Sequence, residues 1–96
     1  MRPSEVLKRN RDAIRAVTAR HKAANPRVFG SVARGEDGPD SDLDILVDAL
    51  PGMTLFDLGG LQFEMEQLLA CEVDIITSGG LPSDIKDRIL EEATAV

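Results

Sequence analysis

The sequence predicts an α/β fold of the mixed α+β kind, in which a small mixed β-sheet is backed by helices. Two segments, 42–48 and 72–77, read as strands from their apolar pattern. Segments with helical spacing stand before, between and after the strands. The helix-containing connection of about twenty residues between these two strands is typical of a right-handed parallel crossover. The predicted order is α-β-β-α-β-α, and 96 residues suit one domain, 1–96.

The first helix is predicted over residues 5–24. Ser4 can cap its N-terminus, and Leu7, Ile14 and Val17 keep helical spacing while Lys and Arg side chains point elsewhere. The helix is therefore amphipathic and basic. Asn25-Pro26 is expected to end it, because the residue before a proline avoids the helical conformation.

A short strand over 27–29 follows and ends at Gly30. The segment 30–41 contains three glycines and a proline, so it is predicted to be a loop with one helical turn near 32–34. The loop is long enough for this first strand to run antiparallel to the strand at 42–48.

The second half of the chain contains two more helices around the strand at 72–77. Thr54 is a candidate cap for the first, although Gly59-Gly60 weakens it by roughly 1 kcal/mol per glycine. Pro82-Ser83 opens the last. The apolar positions that recur at helical spacing are Leu55, Leu58, Leu61, Met65, Leu68 and Leu69 in the first, and Ile85, Ile89 and Ala93 in the second.

Composition excludes several functional classes. No apolar run approaches the ~20 residues of a membrane span, and a lone Cys71 cannot form an internal disulfide, so we expect a soluble, cytoplasmic protein. The net charge of −6 divides into +7 over 1–35 and −13 over 36–96. The basic helix is a candidate nucleic-acid surface, but a pI of 4.6 and three aromatic residues disfavour direct nucleic-acid binding. A solvated face or a contact with an acidic partner surface are the other interpretations.

Six acidic residues fall within the thirteen residues 36–48. Asp42 and Asp44 are two apart on a strand and therefore share a face. Two carboxylates ~5 Å apart repel by roughly 3 kcal/mol at an effective dielectric of about 20, a cost that divalent cations would remove. If the strand at 72–77 is parallel, Asp74 joins them at one edge of the sheet, and three hard oxygen ligands suit Mg²⁺, singly or as a pair.

The first strand ends in Gly30-Ser31. A glycine lets a phosphate approach the backbone, and Ser31 offers a hydroxyl and an N–H at the start of a helical turn. An antiparallel first strand would place this phosphate site beside the carboxylates. Arg34 is balanced between a phosphate contact and a salt bridge to the acidic loop. Together, a metal site and a phosphate site indicate phosphoryl or nucleotidyl transfer.

The stretch from Phe29 to Val47 has Gly-Ser, ten residues, Asp-x-Asp and an apolar strand. It resembles the minimal nucleotidyltransferases of the DNA polymerase β superfamily, and the likeness extends to Asp74, to Ala33-Arg34-Gly35 and to the element order. The resemblance implies a palm-like fold in which Asp42 and Asp44 bridge two Mg²⁺ and Asp74 holds the catalytic one. It also implies that Gly30-Ser31 grips the outer phosphates of ATP and that an acceptor hydroxyl attacks the α-phosphorus, with Asp74 as a candidate base.

Family members of this size are typically antitoxins that bind a HEPN-type ribonuclease toxin and add AMP to a toxin tyrosine. This chain has no Tyr, so the acceptor tyrosine would belong to the partner. Two alternatives stay open. One is a binding-only antitoxin with a vestigial site. The other is a stand-alone transferase that modifies a small molecule or an RNA end.

Three other interpretations of these motifs are excluded by the residue types present or by the order of the elements. The Gly30-x4-Gly35 segment lacks the Lys-Ser/Thr of a P-loop, and an EF-hand beginning at Asp40 would have Ile45 where it requires Gly. In a glycosyltransferase-type Asp-x-Asp the apolar strand would come first. The remaining polar residues receive structural interpretations: loop polarity for Asp37 and Asp40, solvation for Asp48 and His21, and core packing for Cys71.

Overall fold

The computed structural model describes residues 2–96 as a four-stranded sheet with helices. The elements are α1 (Pro3–Arg9), α2 (Arg11–Arg20), β1 (Ala23–Phe29), α3 (Gly30–Ala33), β2 (Leu43–Ala49), α4 (Leu55–Leu69), β3 (Val73–Thr77), a 3₁₀ turn (Ser78–Gly80), α5 (Ser83–Glu92) and β4 (Thr94–Ala95). The sheet order is β3-β2-β1-β4. The predicted mixed sheet backed by helices is confirmed.

Strand β2 lies inside the sheet, between β1 and β3, and carries the middle of the core. Leu43, Ile45, Leu46 and Val47 are fully buried, which explains why the strand is almost continuously apolar after its first residues. Helices α2 and α4 add Ile14, Val17, Leu61 and Met65 to the same core cluster. The stripe predicted for α4 is only partly buried, because Leu55 is 85% exposed and Leu68 is 36% exposed.

The strand directions determine which side chains meet. Strand β1 pairs with β2 antiparallel, with Phe29 opposite Asp44, and β2 pairs with β3 parallel, with Asp44 opposite Asp74. Both directions agree with the expectations from connection length. Consequently the C-terminal end of β1 and the N-terminal ends of β2 and β3 lie at one edge of the sheet.

The predicted single helix over 5–24 is wrong in two places. The chain leaves the helical conformation at Asn10, whose side-chain Nδ2 donates to the Val6 carbonyl at 2.8 Å, so the segment forms two helices. The second helix ends at Arg20, and β1 already begins at Ala23. Pro26 therefore lies within a strand, next to an irregularity in the pairing with β2.

Two helix starts were predicted from capping residues, with different outcomes. Thr54 caps α4 as expected and forms a reciprocal capping box with Asp57. Ser4 lies inside α1, and its backbone N–H donates to Asp37 Oδ2 at 3.0 Å. Asp37 is only 4% exposed. Its carboxylate, and not the Ser4 hydroxyl, therefore accepts a free N–H at the start of α1. Its interpretation as loop polarity is wrong.

The end of the chain contains an element that was not predicted. Helix α5 ends at Glu92, and Thr94–Ala95 pair with Val28 and Arg27 as the short edge strand β4. Of the helices formed by residues 2–96, none has both the length and the apolar character needed to cross a membrane.

Candidate functional site

The edge of the sheet that holds Asp42, Asp44 and Asp74 is the candidate active site. Asp44 is the second residue of β2 and lies in register with Asp74 on the neighbouring parallel strand, and such strands are about 4.8 Å apart. Asp42 directly precedes β2 and is exposed, as is Asp74, whereas Asp44 is half-buried. The Asp-x-Asp spacing and the crossover thus bring the three predicted acidic residues to one edge.

The Gly30-Ser31 turn lies immediately against Asp44. Gly30 has φ +73°, and a Cβ at this position would lie 3.2 Å from Asp44 Cγ and still closer to its Oδ2, nearer than real Cβ atoms come. The backbone conformation therefore favours glycine, and a larger residue would force the Asp44 carboxylate to move. The predicted phosphate-binding turn and the predicted metal-binding carboxylate are in direct contact.

The electrostatics of this edge are unfavourable without a cation. Burial and the negative charges of Asp74 and Asp42 together raise the pKa of Asp44, in that order of importance, while Arg34 partly opposes them. Glu72, which precedes β3, adds a further carboxylate, and its contact with Asp42 raises the pKa of Glu72. The signal for Glu72 was its place just before the strand that carries Asp74.

The chemistry of these donors fits a hard divalent cation, because they are all carboxylate oxygens and they repel one another. Their side chains do not yet surround one point. Within residues 2–96 no group of three or more acidic, histidine or cysteine side chains encloses a space of metal size.

Ser31 lies on the short helix α3, which begins at Gly30, and Arg34 is the residue that caps its C-terminus. Arg34, at its C-terminal end, donates from Nε to Glu36 at 2.9 Å and from Nη1 to Glu92 at 2.9 Å. The contact with Glu36 is the predicted salt bridge to the acidic loop. Glu92 was not predicted at the site, since its position depends on how α5 packs against α3.

Two residues outside the site, Asp48 and His21, differ from their expected surroundings. Asp48 was expected to be solvated, but it accepts hydrogen bonds from Arg27, Asn25 and Ser78, and the Arg27 contact holds its pKa well below the usual range. His21 was expected to face solvent, but its side chain is 19% exposed and contacts Glu64 at 3.0 Å.

Cys71 packs partly buried against the core, as predicted. A cavity of about 660 Å³ lies at the opposite end of β1, between residues that include Thr18, Ala23 and Leu50. The cleft beside Gly30 measures about 300 Å³ and is bounded by α5. We place the chemistry beside the smaller cleft, because Gly30 lines it and Asp44 lies against Gly30.

An acidic edge of a mixed sheet that abuts a Gly-Ser turn suits a protein that holds a divalent metal beside phosphate, as nucleotidyl transfer requires. Residues 11–96 match the family model described as the nucleotidyltransferase domain. The chain belongs to this family of nucleotidyltransferases.

Two relatives of similar length are named as protein adenylyltransferases. A Methanocaldococcus jannaschii protein, provisionally named protein adenylyltransferase MJ0435, is 41% identical over 80 residues, which are 83% of this chain and 86% of that protein. The protein adenylyltransferase MntA of Thermococcus cleftensis is 41% identical over 69 residues, covering 72% of this chain and 70% of MntA.

Solved structures confirm the fold. One that is provisionally described as a minimal nucleotidyltransferase superposes with a TM-score of 0.89 and 44% identity, over 97% of this chain and 95% of that one. A toxin–antitoxin structure with AMP-PNP superposes with a TM-score of 0.77 over 90% of this chain and 71% of that one, at 19% identity. The second likeness concerns the fold alone.

Proposed function

We propose that this nucleotidyltransferase is a Mg²⁺-dependent protein adenylyltransferase that acts as an antitoxin by binding a HEPN-type ribonuclease toxin and transferring AMP from ATP to a toxin tyrosine. The observation that carries the proposal is the contact between Gly30 and Asp44, which puts a turn suited to phosphate beside a carboxylate suited to metal. We place this unit, residues 1–96, in the cytoplasm, where Cys71 stays reduced.

In this proposal Asp42, Asp44 and Asp74 hold Mg²⁺, as a pair of ions. When bound, the metal neutralises phosphate charge and acidifies the acceptor hydroxyl. Gly30-Ser31 holds the outer phosphates, which orients the α-phosphorus for in-line attack. The new bond joins the acceptor oxygen to the α-phosphorus, the bond to the β-phosphate breaks, pyrophosphate leaves, and Asp74 takes the hydroxyl proton.

The acceptor is assigned to a partner for two reasons. The chain contains no tyrosine of its own. In addition, its relatives are named as protein adenylyltransferases, and its fold occurs in toxin–antitoxin structures. A protein partner would then present the hydroxyl that receives AMP.

A second candidate function is a binding-only antitoxin whose vestigial site no longer catalyses nucleotidyl transfer. The specific observation in its favour is that Glu92 Oε1 accepts the Gly30 N–H at 2.5 Å, so a carboxylate occupies the turn assigned to phosphate. A stand-alone transferase that modifies a small molecule or an RNA end has no comparable support, so we leave it aside.

The two functions are separated by mixing the protein with the toxin encoded beside it, Mg²⁺ and ATP, and measuring both the toxin mass and its ribonuclease activity. The adenylyltransferase adds at least one AMP to a toxin tyrosine, and Asp44→Asn abolishes the adduct while leaving the complex intact. If the wild type neutralises the toxin without any adduct, the binding-only function replaces the first. If there is neither adduct nor neutralisation, both fail. Asp84→Asn, an exposed acid on α5, is the matched control for the loss of one charge.

A further inference from the structure

The Gly-Ser turn already binds an anion that belongs to the protein itself. One oxygen of Glu92, Oε1, accepts the backbone N–H of Gly30 at 2.5 Å and the Nη1 of Arg34 at 2.9 Å. Gly30 is 62 residues and Arg34 is 58 residues from Glu92 in sequence, so the contact joins distant parts of the chain. A carboxylate oxygen held by one backbone N–H and one guanidinium has the charge and the acceptor geometry of a phosphate oxygen.

We infer that Glu92 competes with the nucleotide triphosphate for Gly30 and Arg34, so that helix α5 autoinhibits the phosphate site until Glu92 is displaced. This inference rests on the proposed function, which assigns the same turn to the outer phosphates. One N–H cannot donate a full hydrogen bond to both anions, and two anions at one guanidinium repel each other. Binding of the triphosphate and seating of Glu92 are therefore mutually exclusive.

The packing of α5 indicates that little free energy is needed to displace this helix from the turn. Within residues 83–92 no side chain is fully buried. The segment after Glu92 is held independently of α5: β4 pairs with Val28 and Arg27, and Val96 donates its N–H to the Pro26 carbonyl at 3.0 Å. Elements with few buried contacts open at lower free energy than the core, so α5 is suited to move while the sheet stays fixed.

The cleft between α5 and the turn contains two arginine side chains that suit an anionic ligand. It measures about 300 Å³, and Arg88 of α5 lines it together with Arg34 and the apolar side chains of Phe29, Ile85 and Ile89. Among residues 2–96 no carboxylate forms a salt bridge with Arg88. The displaced Glu92 lies four residues from Arg88 on the same helix face and can pair with it there.

The experiment measures the dissociation constant of α,β-methylene-ATP, which cannot be cleaved at the reacting bond, by calorimetry with and without Mg²⁺. Glu92→Gln removes the charge and keeps the shape, and Glu92→Ala removes the carboxylate entirely. Glu91→Gln is the matched control because it makes the same charge change at an exposed position of α5. Glu36→Gln loses the other partner of Arg34 without touching Gly30. The ¹⁵N-labelled Gly30 amide provides a second readout that is independent of affinity.

Because each charge-assisted hydrogen bond is stronger than a neutral one, both Glu92 variants should bind the analogue at least about fivefold more tightly than the wild type and Glu91→Gln. The Gly30 amide resonance should shift in both, and in the wild type on adding the analogue. Measurable binding with unchanged or weaker affinity in the Glu92 variants would overturn autoinhibition while leaving the proposed function intact. Absence of binding in every variant would refute both, and thermal melting identifies a variant that fails to fold.

Discussion

Replacing Gly30 by alanine tests two properties of this position, its contact with Asp44 and its left-handed backbone conformation. The new Cβ would lie 3.2 Å from Asp44 Cγ and closer still to its Oδ2, and the backbone would keep φ +73°. Gly35 supplies the control, because its φ is +72° and a Cβ there meets no atom within 4 Å. Gly35→Ala therefore measures the backbone penalty alone, and the difference between the two variants measures the contact with Asp44.

The magnitudes follow from these contacts. A non-glycine residue in the left-handed region costs about 1–2 kcal/mol, so Gly35→Ala should lower the free energy of unfolding by that amount. Gly30→Ala has the same backbone cost and also forces the Asp44 side chain off its rotamer, which costs about 0.5–1.5 kcal/mol, for a total of about 1.5–3.5 kcal/mol. Asp44 must also move away from the turn, and a displacement of about 1 Å in a catalytic group can cost about 10²-fold in rate.

The assay is urea unfolding of both variants, together with the rate of AMP transfer to the acceptor at saturating ATP. Gly30→Ala should lose most of its activity while still folded, and Gly35→Ala should keep it. Equal stability and equal activity in the two variants would refute the claim that the turn and Asp44 are in functional contact.

Three further predictions concern charges and backbone elsewhere in the fold. Without divalent cations, Asp74→Asn should raise the urea midpoint at pH 7, because it removes a charge that disfavours ionised Asp44. Since the folded pKa of Asp44 is raised, the contribution of Asp44 to stability falls as pH rises above 3.8, and this fall should be smaller in the variant. Asp48→Asn should cost about 1 kcal/mol at pH 7, allowing for solvent screening of its partly exposed pair with Arg27. Because the folded pKa of Asp48 is lowered, that cost should shrink as pH falls below 3.8, as acid unfolding curves would show. Ala70→Gly should stabilise the protein by about 0.5–1 kcal/mol in urea unfolding, because Ala70 ends α4 at φ +53°.

The geometry of the candidate active site was predictable because its determinants are local. Alternation along β2 places Asp42 and Asp44 on one face, and the length of the connection to β3 determines that the strands are parallel. A parallel pair then brings Asp74 into register with Asp44. Each step uses residues close in sequence or a rule of topology, so no knowledge of distant packing was needed.

The errors involve contacts between distant segments. Residues 21–24 look helical, yet Ala23 pairs with Ala49 in the sheet, and this pairing overrides helix propensity. Asp37 replaces Ser4 as the cap of α1 across 33 residues of sequence. The contact of Glu92 with Gly30 spans 62 residues, and nothing in the local pattern around Glu92 indicates it. Such pairings depend on the assembled fold.

The most direct test of the central claim uses ATP labelled with ³²P at either the α or the γ position, with the protein, Mg²⁺ and the toxin partner. If Asp42, Asp44 and Gly30-Ser31 form one site for nucleotidyl transfer, the α label moves to the toxin and the γ label leaves as pyrophosphate. In the Asp42→Asn/Asp44→Asn variant neither label should move. Transfer of the γ label would mean that the site is a kinase, and undiminished α transfer by the double variant would show that the chemistry lies elsewhere.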